Sequence, residues 1–320
     1  MQCKICYNSK NNTIYTVREM MFGNGDYFTY FECSECGCLQ ISEIPGDISA
    51  LYPPEYYSFH LQSPEASYKG ISSSLKKIRN RFAILKQGGI TGHIIYRIYP
   101  NEIMKMLHLT GITQNSKILD IGCGSGVLLY DLQEIGFQKL LGVDPFINDD
   151  IVYSNGLKIV KKNISEISGK WKLIMFHHSF EHIPDPFELL SQIPRLLSDD
   201  GVCLIRIPTV SSYAWKHYRE NWVQLDAPRH FFLYSIESIR ILAEKSNLKI
   251  DKIIYDSNEL QFWGSEQYIR DIAFTDPRSY FKNPGASIFN SKEIKLFRKK
   301  SKKLNEQNQG DSIGVFLKLK

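Results

Sequence analysis

The stretch KILDIGCGSG, Lys117 to Gly126, decides the fold of this 320-residue chain. Its apolar first half has the length and composition of a buried strand. The run that follows, VLLYDLQEIG, has helical spacing, so the glycines between them form a tight strand-to-helix turn. Gly122, Gly124 and Gly126 let the backbone turn sharply and approach a ligand closely. Dinucleotide and nucleoside cofactors both use such a turn. The dinucleotide fingerprint places its third glycine three residues after the second; here Val127 holds that place and the order is Gly-x-Gly-x-Gly. Asp120, just before the turn, would repel a pyrophosphate and suits a positively charged ligand end. A second apolar run, LLGVDP, ends in Asp144, 18 residues after Gly126. A carboxylate at that strand end can accept both hydroxyls of a ribose.

Outward from this stretch, short apolar runs alternate with helical patterns. The runs KILDI, KLLGVD, LKIVKK, KLIMF, VCLIRI, LKIDKIIY and IGVFLKL read as strands, and PFELLSQIPRLL and SIESIRILAEKS as helices. The alternation predicts an α/β fold, a mostly parallel sheet with helices on both faces. Three sections are expected: 1–46, with two strand-like runs among paired cysteines; 47–105, a linker and helical segment; and 106–320, the α/β domain. In the middle section LYPPEYYSFH reads as irregular. SSSLKKIRNRFAILKQ reads as a helix with an apolar stripe of Leu75, Ile78, Phe82 and Leu85, capped by Ser72–Ser74. The polar, basic run 291–310 reads as a loop or surface helix.

Five of the seven cysteines lie in the first 38 positions. Cys3-x-x-Cys6 and Cys33-x-x-Cys36 are two knuckles that can close on one metal ion as four thiolates. Zinc is expected, and an iron site would use the same spacing. A closed four-cysteine site has no open position for a substrate, so its expected role is structural. Cys38 is left over; Cys123 and Cys203 read as small buried residues. No apolar run approaches the roughly 20 residues needed to span a bilayer, and the N-terminus has no apolar signal core. The expected location is the cytoplasm, where thiols stay reduced.

Asp120-x-Gly-x-Gly-x-Gly with the strand-end Asp144 resembles the cofactor site of class I S-adenosylmethionine-dependent methyltransferases. The resemblance implies a Rossmann-like, seven-stranded, mostly parallel sheet whose last strand, here IGVFLKL, is antiparallel. It implies Asn163 as a polar contact to the adenine amino group, and a cofactor contact at His178 in the loop HHSFEHIPDP. The N-terminal cysteine knuckles, LYPPEYYSF, SFEHIPDP and W…APRH together resemble a bacterial group of zinc-ribbon methyltransferases of nucleotide-sugar, O-antigen and capsular-polysaccharide biosynthesis. Relatives that methylate a sugar carbon carry a long further C-terminal domain, for which this chain lacks room. O-methylation of a sugar hydroxyl is therefore expected, on a nucleotide sugar or a polysaccharide.

Ligands of such folds bind outside the carboxyl ends of the strands. Methyl transfer to a hydroxyl needs alignment and a group that removes the proton. His182 beside Glu181 is the first candidate base, and His230 the second. Arg229 is a candidate contact for an anionic acceptor such as a diphosphate. Trp222 is a candidate lining residue of the acceptor cleft. Against these stand plainer roles: a structural loop for Glu181 and His182, an ion pair for Arg229 and a core flap for the aromatic segment. An RNA methyltransferase with a zinc module is the alternative activity. The first 50 residues, however, hold three basic side chains against six acidic ones, which ill suits a grip on phosphates. A non-catalytic, methyltransferase-like binding protein is the alternative of a different class, and the intact glycine turn and Asp144 weigh against it.

Overall fold

The computed structural model describes residues 1–46, 64–68 and 71–320; LYPPEYYSFH lies outside them. The N-terminal section forms β1 (Thr13–Arg18), β2 (Tyr27–Glu32) and β3 (Leu39–Ile41). Helices α1 (Ile71–Leu85), α2 (Gly89–Ile98) and α3 (Glu102–His108) follow. The α/β part opens with β4 (Ile118–Ile121), α4 (Val127–Glu134), β5 (Leu140–Val143), β6 (Ile151–Val152), β7 (Lys158–Val160) and β8 (Trp171–His177). Next come α5 (Pro186–Ser191), α6 (Ile193–Leu196), β9 (Leu197–Pro208), α7 (Tyr213–Tyr218) and β10 (Phe232–Leu233). The chain continues through α8 (Ile236–Lys245), β11 (Leu248–Tyr255), α9 (Leu260–Ile269), α10 (Ser291–Glu306) and β12 (Ser312–Leu319).

The main sheet has eight strands in the order β11-β12-β9-β8-β4-β5-β7-β6. Strands β9, β8, β4, β5 and β7 run parallel, and β12 inserts antiparallel between β9 and β11. This is the Rossmann-like class I methyltransferase arrangement, with all seven expected strands. The eighth, β6, is a two-residue edge strand antiparallel to β7, too short to leave a periodic signal. Apolar residues on the two faces of the sheet form two separate buried clusters.

Two local expectations are corrected. Ser72–Ser74 do not cap α1 but lie inside its first turn. The expected stripe is only partly enclosed: Leu75 is exposed and Ile78, Phe82 and Leu85 are half-buried, while Ser73, Asn80, Ala83 and Ile84 are buried. Asn80 is enclosed because Arg79 and Asn101 donate to its Oδ1, and its own Nδ2 donates to Asp131 at 3.4 Å. The run 291–310 is mostly helical, as α10. Its N-terminus is capped by Asn290, whose side chain accepts from Lys292 N and Glu293 N.

The cysteine-bearing section is not closed on itself. Its sheet has the order β1-β2-β3-β10, so its fourth strand comes from residues 232–233, paired as Phe232 to Gln40 and Leu233 to Leu39. The same downstream segment carries His230 and Arg229, so the small sheet and the strand ends of the large one are packed as neighbours.

Candidate active site and metal centre

Strand β4 ends in Asp120 and Ile121, and the chain turns through Gly122–Gly126 into α4. Gly126 sits at φ +73°, and a Cβ there would run into Ile159 Cδ1. Gly122, at φ +70°, leaves no room for a Cβ beside Ser179. Only glycine meets both demands. Asp144, at the end of β5, ties the turn: its Oδ2 accepts from Gly124 N at 2.8 Å and its Oδ1 from Phe146 N at 2.9 Å.

A cavity of about 720 Å³ opens over these strand ends, lined by Asp120, Gly122, Gly124, Asp144, Asn163 and His178 among others. Gly126 stands behind the turn. Asp120 is 3% exposed and its Oδ1 has no hydrogen-bond partner. Burial, then the neighbouring Asp144, pushes its carboxyl well above the usual range. A cationic ligand end would supply the missing donor and restore the charged form. The donor set therefore fits a nucleoside carrying an ammonium group, as S-adenosylmethionine does.

Beyond β8 the chain makes a sharp bend. His178 sits at φ +50°, a conformation that costs a non-glycine residue on the order of 1–3 kcal/mol. Arg206 Nη1 donates to His178 Nε2 at 2.6 Å, and Asp256 accepts from Arg206 Nε. A guanidinium only donates, so the ring proton of neutral His178 is on Nδ1, which faces Glu181 Oε1 at 3.3 Å. Glu181 is fully buried. Burial opposes its charge, yet the hydrogen bond from His178 and the fields of His178, His182 and His230 bring it down to about 2. His177 beside it lacks partners at both ring nitrogens, and burial, with Arg206 nearby, lowers it to about 3.

His182 and His230 meet edge to face, with ring centroids 4.8 Å apart. His182 Nδ1 donates to the Arg229 carbonyl at 2.9 Å, and His230 Nδ1 to the Gln224 carbonyl at 2.7 Å. Burial and the neighbouring His230 push the His182 imidazole below its usual range. Phe231 N donates to the Glu181 carbonyl, and Tyr30 Oη, on β2, donates to the His230 carbonyl at 2.9 Å. The three candidate catalytic residues are thus brought together, 49 positions apart in sequence at the widest.

A second cavity, of about 320 Å³, lies beyond the first, and His178 and His182 line both. Its polar wall includes Arg206, Asp226, His230, Asp256 and Asp311, and Met21 reaches it from the cysteine-bearing section. Arg206, Asp256 and Asp311 were not among the sequence candidates. Only the end-of-strand position of Arg206, in VCLIRIP, could have singled one of them out.

Two candidates do not reach either cavity. Arg229 is 2% exposed, and its guanidinium is bound to Glu19 and Asp226 at 2.7 and 2.6 Å. This is the plainer role, an ion pair between elements, and it keeps the guanidinium buried away from both cavities, out of reach of an acceptor's phosphate. Trp222 is fully buried against Trp215, and its Nε1 donates to Asp311 Oδ2 at 3.0 Å. It supports the second cavity from behind.

Cys3, Cys6, Cys33 and Cys36 converge, with all four sulfurs within 4.8 Å of one another. Cys3 and Cys36 are 3.6 Å apart and Cys6 and Cys33 3.4 Å, far beyond a disulfide bond of about 2.05 Å. Sulfurs at about 2.3 Å from a tetrahedral zinc lie roughly 3.8 Å apart, so the cluster fits. Gln40 Nε2 and Ile5 N both point at Cys3 Sγ, at 3.1 and 3.4 Å, as donors around a thiolate do. Cys38 is buried beside the cluster. Among the described residues, no helix is long and apolar enough to cross a membrane.

Residues 74–253, over half of the chain, match a family described as a methyltransferase domain. Among curated proteins, the chain is similar to the C-methyltransferase NovU of Streptomyces niveus, 24% identical over 149 residues, 44% of this chain and 34% of that protein. It is also similar to the ribosomal protein L11 methyltransferase of Thermosipho africanus, 28% identical over 122 residues, 32% of this chain and 45% of that one. A ubiquinone biosynthesis O-methyltransferase of Escherichia coli is 23% identical over 121 residues, 33% of this chain and 49% of that one. The chain spans about a third to a half of the length of these curated relatives. Among solved structures, a SAM dependent methyltransferase from Archaeoglobus fulgidus aligns with TM-score 0.41 and 19% identity, covering 71% of this chain and 99% of that one. By its matched residues, its sheet order and the glycine turn over its first cavity, the chain belongs to the methyltransferase domain family.

Proposed function

We propose that the protein transfers a methyl group from S-adenosylmethionine to a hydroxyl of a sugar, on a nucleotide sugar or a surface polysaccharide. The observation that carries this reading is the pair of cavities that meet at His178 and His182. When bound in the first, S-adenosylmethionine supplies an electrophilic methyl group. Asp144 takes the ribose hydroxyls, Asp120 the ammonium group and Asn163 the adenine edge, with Gly122 and Gly124 lying against the ligand, Gly126 shaping the turn behind them and His178 closing the end. The second cavity, walled by carboxylates and a guanidinium, suits a polyhydroxylated ring. Such groups recognise hydroxyls by accepting and donating hydrogen bonds. The acceptor's proton passes to the cluster of Glu181, His182 and His230, with His182 as the base. Its Nδ1 proton is held by a main-chain carbonyl, which leaves Nε2 as the basic nitrogen.

The four cysteines hold a structural zinc ion. Around it, residues 1–46 fold as a ribbon that supports the acceptor cavity, residues 47–105 connect, and residues 106–320 bind the methyl donor and perform the transfer. Calorimetry of the full chain with S-adenosylmethionine tests the donor site. Binding is expected, with at least about tenfold loss in Asp144→Ala; no binding at sub-millimolar donor overturns the reading. A panel of nucleotide sugars with labelled donor tests the acceptor class. Transfer to protein or RNA instead would overturn it.

A further inference from the structure

We propose that Glu181, His182 and His230 form a binding site for a first-row transition-metal dication, of the Mn²⁺, Fe²⁺ or Zn²⁺ kind, where the two cavities meet. One ligand atom from each residue lies within 4.8 Å of the others. Glu181 Oε1 is 4.0 Å from His230 Nε2, and Glu181 Oε2 is buried with no hydrogen-bond partner. Ligands at about 2.1 Å from one ion lie roughly 3.0–3.5 Å apart, so the side chains need to draw in by about 0.5–1.8 Å.

Three further features point to a cation. Both histidines donate their Nδ1 proton to a main-chain carbonyl, of Arg229 and of Gln224. That second contact orients metal-binding imidazoles and fixes the tautomer that presents Nε2. The charge around the junction is unbalanced: Glu19 and Asp226 share Arg229 and Asp256 pairs with Arg206, while enclosed Glu181 has only imidazoles beside it. Buried charge of one sign calls for a counter-charge. The donor set of two imidazoles and a carboxylate also selects among ions. Magnesium and calcium prefer all-oxygen sites, and thiolates such as the four cysteines favour zinc over manganese. The site thus differs in chemistry from the cysteine cluster.

Three protein ligands leave open positions toward the second cavity. If that cavity takes the acceptor, as proposed above, its hydroxyl oxygen would occupy one of them. The hydroxyl's proton would then pass to water, and the cluster would act through the ion rather than through an imidazole alone.

The test uses the zinc-loaded full chain with Mn²⁺ alone as the probe, followed by the electron paramagnetic resonance signal of free Mn²⁺. One Mn²⁺ per chain is expected to bind, with about tenfold or greater loss in Glu181→Gln and in His230→Gln. Donor binding by calorimetry, retained in both variants, shows that they are folded. No Mn²⁺ bound at millimolar concentration, or equal binding in wild type and folded variants, overturns the site. If donor binding persists while Mn²⁺ fails to bind, only this site falls, and the methyl-transfer reading stands with an imidazole base. Failure of the wild type to bind donor would instead sink that reading.

Discussion

Glu19 Oε1, just past β1 of the cysteine-bearing sheet, accepts a 2.7 Å hydrogen bond from Arg229 Nη2, and each side chain is 2% exposed. Glu19 also accepts from the main-chain N–H groups of Met21, Phe22 and Gly23. The Arg229 carbonyl holds His182. One carboxylate therefore connects the loop after β1 to a candidate catalytic imidazole. Removing one member of a buried pair strands the other's charge. Glu19→Ala should cost about 3–5 kcal/mol in urea unfolding, and Glu19→Leu with Arg229→Met together should cost less than the two singles added. Additive losses would show that the pair is not coupled.

The packing of Gly126 against Ile159 gives a second expectation. Gly126→Ala should destabilise by about 2–4 kcal/mol, from the positive φ and the clash together. Ile159→Val removes the Cδ1 atom that the new methyl meets. In the Gly126→Ala background it should recover part of the loss, as read from thermal melts. If Ile159→Val only adds to the damage, φ strain accounts for the whole effect.

Metal removal separates the two ends of the molecule. The sulfurs of Cys3, Cys6, Cys33 and Cys36 lie among residues that pack against β10 and the His230 segment, not against the glycine turn. Cys33→Ser is expected to release the one zinc of the cysteine site and to lower methyl transfer by about tenfold or more. Donor affinity should hold. A parallel fall in donor affinity would contradict the division of labour proposed for the ribbon.

Asp311 carries a pH dependence whose sign can be worked out. Burial pushes its carboxyl from 3.8 up to about 6. Between those values the folded chain holds a proton that the unfolded chain has lost. Stability from this group is therefore full below about pH 4 and lost as the pH rises through about 6, a change of roughly 3 kcal/mol. Asp311→Asn keeps an acceptor for the Trp222 N–H and removes the ionisation. Urea midpoints of the two proteins between pH 4 and pH 7 should converge at the acid end and favour the variant at the neutral end. A constant difference across that range would show that Asp311 does not ionise differently in the folded chain.

What the sequence revealed was local. Asp120, Gly122, Gly124, Gly126 and Asp144 are tied to a strand end or to a turn, a local pattern that could be read although the atoms crowding Gly122 and Gly126, of Ser179 and Ile159, come from farther along the chain. The convergence of four cysteines was legible for the same reason, since their spacing sets their geometry. Arg229 was not. Whether a guanidinium meets a ligand or a carboxylate depends on Glu19, 210 positions away, and no pattern connects them. Trp222 misled because an indole reads alike on a cleft wall and in a core; the deciding contact is Asp311, which follows α10. Most of the second cavity was hidden: of its wall, only His178, His182 and His230 stood out in the sequence. Residues from the section after β1, from the end of β9, from the 226–230 turn and from the long excursion between β11 and β12 build it together.

The pairing of Leu39 with Leu233 also bears on the order of events during synthesis. The four cysteines have all been made by residue 36, but the strand that completes their sheet emerges almost two hundred residues later. At about 5–20 residues per second that is an interval of roughly 10–40 seconds. Throughout it the nascent N-terminus has three strands, an uncovered apolar edge and four converging thiols to hold it. A metal ion bound by those thiols during synthesis would hold the section together before its fourth strand exists.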